Sequence, residues 1–383
     1  MNINKTLSLS ICTTVYFLFS GCTSEKRNES GLMPINVSIS YPEKEIGLED
    51  IADIEYLQLE VNEGFLFRDL PETITKDKII IGQRSNGDVL VFSREGKPLS
   101  KFNHRGGGPQ DYNMIWGRIL YDEISDEIIV QASPNKLIVY SSMGDFRRII
   151  PLLEGSMVSD LINYDSKMLL IFDENNLYPT SLSLISKEDG RMVESIDIPS
   201  GEKVRLIVRH QEGLMTFFYA VPGRYILWHN KGYLLTDYST DTVYYYSPKK
   251  ELSPILVRMP NVHSMTPMVT LHGFVEAGNY EFFFTAKFQP ENDEIPTTYL
   301  MRDKKTDAVY RQKIAFNDYK GRQVYISPQT ILNTQDSKLG LIVFGLVELQ
   351  DANSENKLSG KLKELVENSD EDGNDIYMLL HFK

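Results

Sequence analysis

The chain has 383 residues, with 40 Lys and Arg against 53 Asp and Glu for a net charge of −13, and it carries two cysteines. That acidic balance excludes a nucleic-acid binder, which needs clustered Lys and Arg to meet backbone phosphates. The length exceeds what one ordinary core fills, so two domains or a repeat architecture are the choices.

The chain opens with Lys5, an apolar run from Leu7 to Phe19, and then Ser20-Gly21-Cys22. The run is shorter than the roughly 20 residues a membrane-spanning helix needs, and its layout is that of a secretory signal. Phe19-Ser20-Gly21-Cys22 resembles the lipobox of bacterial lipoproteins, with Phe19 where that pattern prefers Leu. The resemblance implies cleavage after Gly21, lipidation of Cys22 and attachment to the membrane through that anchor. Cys12 leaves with the leader and Cys22 carries lipid, so the mature domain has neither a free thiol nor a disulfide. Thiol nucleophiles and zinc–cysteine sites are thereby excluded. Removing Lys5 with the leader leaves 39 basic and 53 acidic residues, a net charge of −14. Residues 22–34 are expected to be a flexible polar tether. The segment Thr23-Ser24-Glu25-Lys26-Arg27 has one acid and two bases, unlike the acidic run of surface-export signals. The expected location is the cell envelope, at the outer membrane facing the periplasm.

Residues 35–383 read as short strands separated by turns. Ile79-Ile80-Ile81, a turn at Ser85-Asn86-Gly87-Asp88, and Val89-Leu90-Val91-Phe92 form one unit. Ile128-Ile129-Val130, Ser133-Pro134-Asn135-Lys136 and Leu137-Ile138-Val139-Tyr140 form a second, and both units continue to a glycine turn at Gly96 or Gly144. A third unit runs from Tyr233-Leu234-Leu235 through Ser239-Thr240-Asp241 to Thr242–Tyr246. Ile80 and Ile129 are 49 positions apart, and Ile129 and Leu234 are 105 apart, close to two such steps. A period near 50 with several strands per repeat predicts a β-propeller. The length allows six or seven blades. Six four-stranded antiparallel blades are expected, because one late helix, over Asn356 to Glu367, uses chain outside them. Its apolar face is Leu358, Leu362, Leu365 and Val366. The early run Ile51 to Val61 is expected to pair in the blade that holds the C-terminal strand, Ile376 to Phe382, and so to close the ring.

Asn103-His104-Arg105-Gly106-Gly107-Gly108-Pro109-Gln110-Asp111-Tyr112 resembles a glycine-rich motif of six-bladed β-propeller lipoproteins of Gram-negative bacteria, themselves similar to NHL-type and TolB-like propellers. Gly106, Gly108, Pro109 and Tyr112 keep that pattern, while Asn103, His104, Gln110 and Asp111 depart from it. Asp241-Thr242-Val243-Tyr244 followed by Leu256 is similar to a second family feature. The resemblance implies a fold and a location more than an activity.

The glycine motif has two readings. One is a tight inter-blade turn, with positive φ at the glycines and Tyr112 packed beneath. The other is a ligand loop presenting Arg105 and backbone N–H groups. Trp116 and Trp228 suit sugar or peptide recognition, and equally a core. No histidine pair has metal-ligand spacing, and there is no nucleophile elbow and no phosphate loop. Asn368–Gly373 has the first half of a calcium loop but lacks its last ligand, so a solvated turn is expected there. No metal or cofactor is expected. The favoured reading is a non-catalytic binding or scaffold module for an envelope protein, a peptide or a glycan, with His104, Arg105, Tyr112, Trp116, Arg224, Trp228 and His229 as candidate ligand residues. The alternative is a lyase or hydrolase at the channel mouth, drawing on His104, Arg105, Tyr112, Arg224 and His229.

Overall fold

In the computed structural model, which describes residues 32–383 other than 61, 63, 66, 68, 179, 200, 214, 333–337 and 371–372, the three isoleucines Ile79, Ile80 and Ile81 are all fully buried. A strand buried on both faces reads as a continuous apolar run, because successive side chains point to opposite sides. Ile79 and Ile81 pack toward one neighbouring sheet and Ile80 toward the other. Ile129 against Ile128 and Val130, and Leu170 against Leu169 and Ile171, divide in the same way. The core is therefore a ring of clusters between sheets, as a propeller requires.

Six blades form that ring. Blade one holds strands Pro71–Ile74, Lys78–Gly82, Asp88–Ser93 and Pro98–Asn103. Blade two runs from Ile119–Asp122 to Phe146–Pro151, and blade three from Val158–Asn163 to Met192–Ile196. Each is four-stranded, antiparallel and continuous in sequence. Gly96 and Gly144, at φ +90° and +95°, make equivalent turns into the last strands of blades one and two.

Blades four to six borrow strands from the start of the chain. β1 (Met33–Asn36) lies parallel to Leu252–Met259 on the outer edge of blade four. β2 (Glu43–Gly47) lies parallel to Val309–Ala315 on the edge of blade five. A single-turn helix α1 (Leu48–Ile51) leads into β3 (Ala52–Gln58), which pairs antiparallel with the last strand, Ile376–Phe382. The expected ring closure is present. β1 begins at Met33, so the last two residues of the expected tether belong to the fold; Cys22 and the leader lie outside the described residues.

Two features depart from the even period. The 105-residue interval covers blade three and then a hairpin, Ile207–Glu212 with Met215–Ala220, that belongs to no blade. In place of one late helix there are two, both inside blade six: α2 (Leu346–Ser354) and α3 (Gly360–Glu367). The expected helix begins four residues late, at Gly360, which has φ +55°. Its Leu362 and Val366 are buried as the periodicity required.

Candidate functional site: the two ends of the central channel

The innermost strands of the blades all run the same way along the axis. The chain enters each new blade at one end of the channel, the connection end. It turns back into the second strand at the other, the turn end.

Five charged side chains gather at the connection end. Glu72 is on the inner strand of blade one, Arg118 precedes that of blade two, Asp160 is on that of blade three, and Arg224 precedes that of blade four. Arg84 reaches Glu72 at 2.5 Å and the Gly117 carbonyl at 2.8 Å. Arg118 lies 3.3 Å from Asp160 Oδ1, while Asp160 Oδ2 accepts the backbone N–H groups of Tyr225 (3.0 Å) and Ile226 (3.1 Å). The Tyr238 hydroxyl fixes the backbone of Arg224, accepting its N–H at 3.0 Å and donating to its carbonyl at 2.7 Å. Because that hydroxyl's proton is committed, His272 Nδ1, 2.8 Å away, must be the donor to it. Burial pushes the His272 pKa down to about 3, so the imidazole is neutral. The Arg224 guanidinium has no hydrogen-bond or ion-pair partner among the described residues. Burial first, and then the neighbouring Arg118, lower its pKa to about 9, which leaves it cationic at neutral pH.

At the turn end a cavity of about 750 Å³ opens among the inner-strand turns of blades one to three, with Trp228 from blade four on its wall. Tyr121, Tyr164 and Trp228 give it aromatic surface, and Asn163, whose side-chain amide donates to the Tyr121 carbonyl at 2.9 Å, gives it an amide. Its buried charges are matched. Lys187 meets Asp122 at 2.7 Å and also donates to the Asp165 carbonyl. Arg94 makes a two-bond contact with Glu55, which also takes His381 at 2.8 Å.

The residues singled out from the sequence fall into separate places. His104 stacks on Tyr140, with centroids 4.6 Å apart, and its Nε2 meets the Gly144 carbonyl at 2.7 Å. Arg105 is exposed and donates to the Ser85 carbonyl; Tyr112 is buried, with its hydroxyl on the Gly87 carbonyl. The glycine motif thus packs between blades one and two. Its three glycines do not have positive φ, contrary to expectation. Asp111 instead folds back over the loop, its Oδ2 accepting the Gly108 N–H at 2.8 Å and lying where a Cβ on Gly106 or Gly108 would fall. Trp116 is half-exposed, two residues before Arg118. Trp228 lines the turn-end cavity, and His229 is buried in a different cleft, hydrogen-bonded to Asn230 with its pKa lowered by burial. Of the seven, only Arg224 joins the charged cluster.

Glu72, Arg84, Arg118 and Asp160 escaped sequence reasoning because each is on a different strand or turn. One signal was present. Gly117-Arg118-Ile119-Leu120 and Gly223-Arg224-Tyr225-Ile226-Leu227 both place Gly-Arg ahead of an apolar inner strand. The glycines permit close passage: a Cβ on Gly117 would lie 2.1 Å from Gln131 Oε1, and one on Gly223 would lie 2.6 Å from Leu206. No group of three or more His, Cys, Asp or Glu able to hold a metal occurs among the described residues.

The chain is similar to several solved structures, to different degrees. A Bacteroides fragilis protein described as exported by inference shares 15% identity at a TM-score of 0.60, over 92% of this chain and 99% of its own. A member of the DUF4221 family from Bacteroides vulgatus shares 11% at 0.46, over 87% and 97% of the two chains. BamB from Moraxella catarrhalis shares 8% at 0.35, over 80% and 82%. No curated protein matches the chain. The model of the DUF4934 family, described as a domain of unknown function, matches residues 33–381, and the chain belongs to that family.

Proposed function

We propose that this member of the DUF4934 family is an exported, lipid-anchored recognition module of the cell envelope, whose propeller binds a peptide or glycan segment without cleaving it. The observation that carries this reading is the turn-end cavity of about 750 Å³, with Tyr121, Tyr164 and Trp228 on its wall while its buried Lys187–Asp122 pair is already matched. Aromatic faces beside fixed hydrogen-bonding groups suit a sugar ring or a peptide side chain. The reading is preferred to a lyase or hydrolase because His104, His229 and His272 are engaged in blade packing away from this cavity, and His381, which does line it, is tied to Glu55 at 2.8 Å. Export and anchoring rest on the Cys22 segment and on kinship of fold with a protein described as exported. No helix among the described residues is long and apolar enough to cross a membrane. Eleven residue steps lead from Cys22 to Met33, so at about 3.3–3.6 Å per step the domain stays within roughly 40 Å of its anchor. The resemblance to NHL-type and TolB-like propeller lipoproteins accords with such a role.

The test is to present purified protein to glycan and peptide arrays and to follow the bound compounds by mass spectrometry. The expected result is retention of a ligand class unchanged in mass, with affinity lowered at least about tenfold, or ~1.4 kcal/mol, by Trp228→Ala. Turnover of the ligand, or full affinity in that variant, would overturn the reading. In the native host, Cys22→Ala should move the protein from the membrane to the soluble fraction.

A further inference from the structure

We propose that the connection end of the channel is a second, separate binding site, selective for a small ligand with a single carboxylate, and that Arg224 is the residue that holds it. Three arginines and two acids meet there, and each acid is committed: Glu72 to Arg84 at 2.5 Å and Asp160 to Arg118 at 3.3 Å. Arg224 is left over. The two residues that follow it, Tyr225 and Ile226, donate their backbone N–H groups to Asp160, the carboxylate that also meets Arg118, so Arg224 enters from blade four beside the Arg118–Asp160 pair.

This surplus cation contrasts with the other arginines at low exposure. Arg258 is paired with Asp241, and Arg302 with both Glu281 and Asp307. An uncompensated charge in a confined site is destabilising unless a partner arrives. Its setting is also rigid. Tyr238 clamps the Arg224 backbone from both its N–H and its carbonyl, and His272 and Thr270 brace Tyr238 from behind. Asp160 takes two backbone N–H groups of the same strand and positions Arg118 beside it. Arg118 and Arg224 thus lie beside one another at this end, and among the described residues the three arginines and two acids there leave an excess of one positive charge.

That excess selects the ligand. A guanidinium fork matches the two oxygens of a carboxylate in a planar, two-bond contact. One carboxylate neutralises the site. A dianion such as sulfate would bring more charge than the surplus and would meet Glu72 and Asp160 as well. An acidic sugar and a peptide carboxyl terminus both offer the required group.

The experiment is calorimetric titration of the full protein at low salt with D-glucuronate, N-acetylglycine, sulfate and D-glucose, repeated on Arg224→Gln, Arg224→Lys and Trp228→Ala. The expected result is binding of glucuronate or N-acetylglycine, the tighter of the two identifying the source, with glucose inert and sulfate weak. Arg224→Gln should lose at least about tenfold in affinity. Arg224→Lys should fall between, because Lys keeps the charge but not the fork. Trp228→Ala should bind as the parent does, which separates this site from the turn-end cavity. In the absence of ligand, Arg224→Gln should melt no lower than the parent, because it removes an unpaired charge; a purely structural arginine would show the opposite. Carboxylate affinity unchanged in Arg224→Gln, no binding of either carboxylate by the parent, or sulfate binding as tightly as the carboxylates would each overturn the proposal.

Discussion

Blades one to three and blades four to six solve the same packing problem in different ways. The first three are continuous four-stranded units, and side chains tie each to its neighbour. Lys78 of blade one meets Asp126 of blade two, and Lys187 of blade three meets Asp122 of blade two. The second three are held by backbone from far away in sequence: β1 edges blade four, β2 edges blade five and β3 completes blade six. One large apolar cluster joins the N-terminal segment to blades four, five and six, whereas smaller clusters separate the earlier blades. The difference shows where a ring of repeats spends its long-range pairing. Three blades are built from contacts local in sequence, and the other three also need the N-terminal segment, at the entropic cost of closing long loops.

Removing that segment is the severest way to break the comparison. A chain that starts at residue 60 lacks β3, leaves the last strand unpaired on one side, and should lose stability on the scale of the whole domain, about 5–15 kcal/mol. A chain that starts at Leu48 keeps β3 and should fold, with hydrogen-exchange protection lost chiefly on the outer strands of blades four and five. Equal damage from the two truncations would show that closure is not the decisive contact.

The side-chain ties of the regular half give a smaller effect. Lys187→Met strands Asp122 in a buried position and should cost about 3–5 kcal/mol in denaturant unfolding. Pairing it with Asp122→Leu should recover most of the loss, since no uncompensated charge is left. If the single variant costs nothing, the ion pair is not what binds blade three to blade two.

Acid provides the mildest test. Burial alone would raise the Asp126 pKa, but hydrogen bonds from Lys78, Tyr121 and Ser142 outweigh it and hold the carboxyl below its ordinary 3.8. Lys101, Asn103 and Asn86 do the same for Asp88 against its burial, and Arg94 and His381 for Glu55. A depressed folded-state pKa contributes stability that is complete above the unfolded value and is lost as pH falls through the folded one. The melting temperature should therefore hold to about pH 5 and then drop. Lys78→Met should start lower at neutral pH and lose less on acidification.

Much of the fold was legible because propeller strands are buried on both faces. Ile79–Ile81, Ile128–Val130 and Tyr233–Leu235 announce themselves as apolar runs, and the glycine turns at Gly96 and Gly144 repeat in phase. Helix α2 was missed because it fills a connection inside blade six, with Leu346, Leu349 and Ala352 buried against the large cluster, and such packing leaves only a weak periodicity over nine residues. The candidate sites were barely legible. Trp228 and Arg224 could be named, but nothing local sets them at opposite ends of one channel.

By itself, the sequence determined the strand-rich repeat, the six-blade ring and its closure by an early strand, all of which follow from local apolarity, turn chemistry and chain length. The tertiary structure alone decided which charges meet. Glu72, Arg84, Arg118, Asp160 and Arg224 come from four blades and share a site only because the inner strands converge on one axis. It also decided that the glycine motif packs between blades one and two, with Tyr112 on the Gly87 carbonyl and His104 on the Gly144 carbonyl, contacts that exist only once the loop has folded.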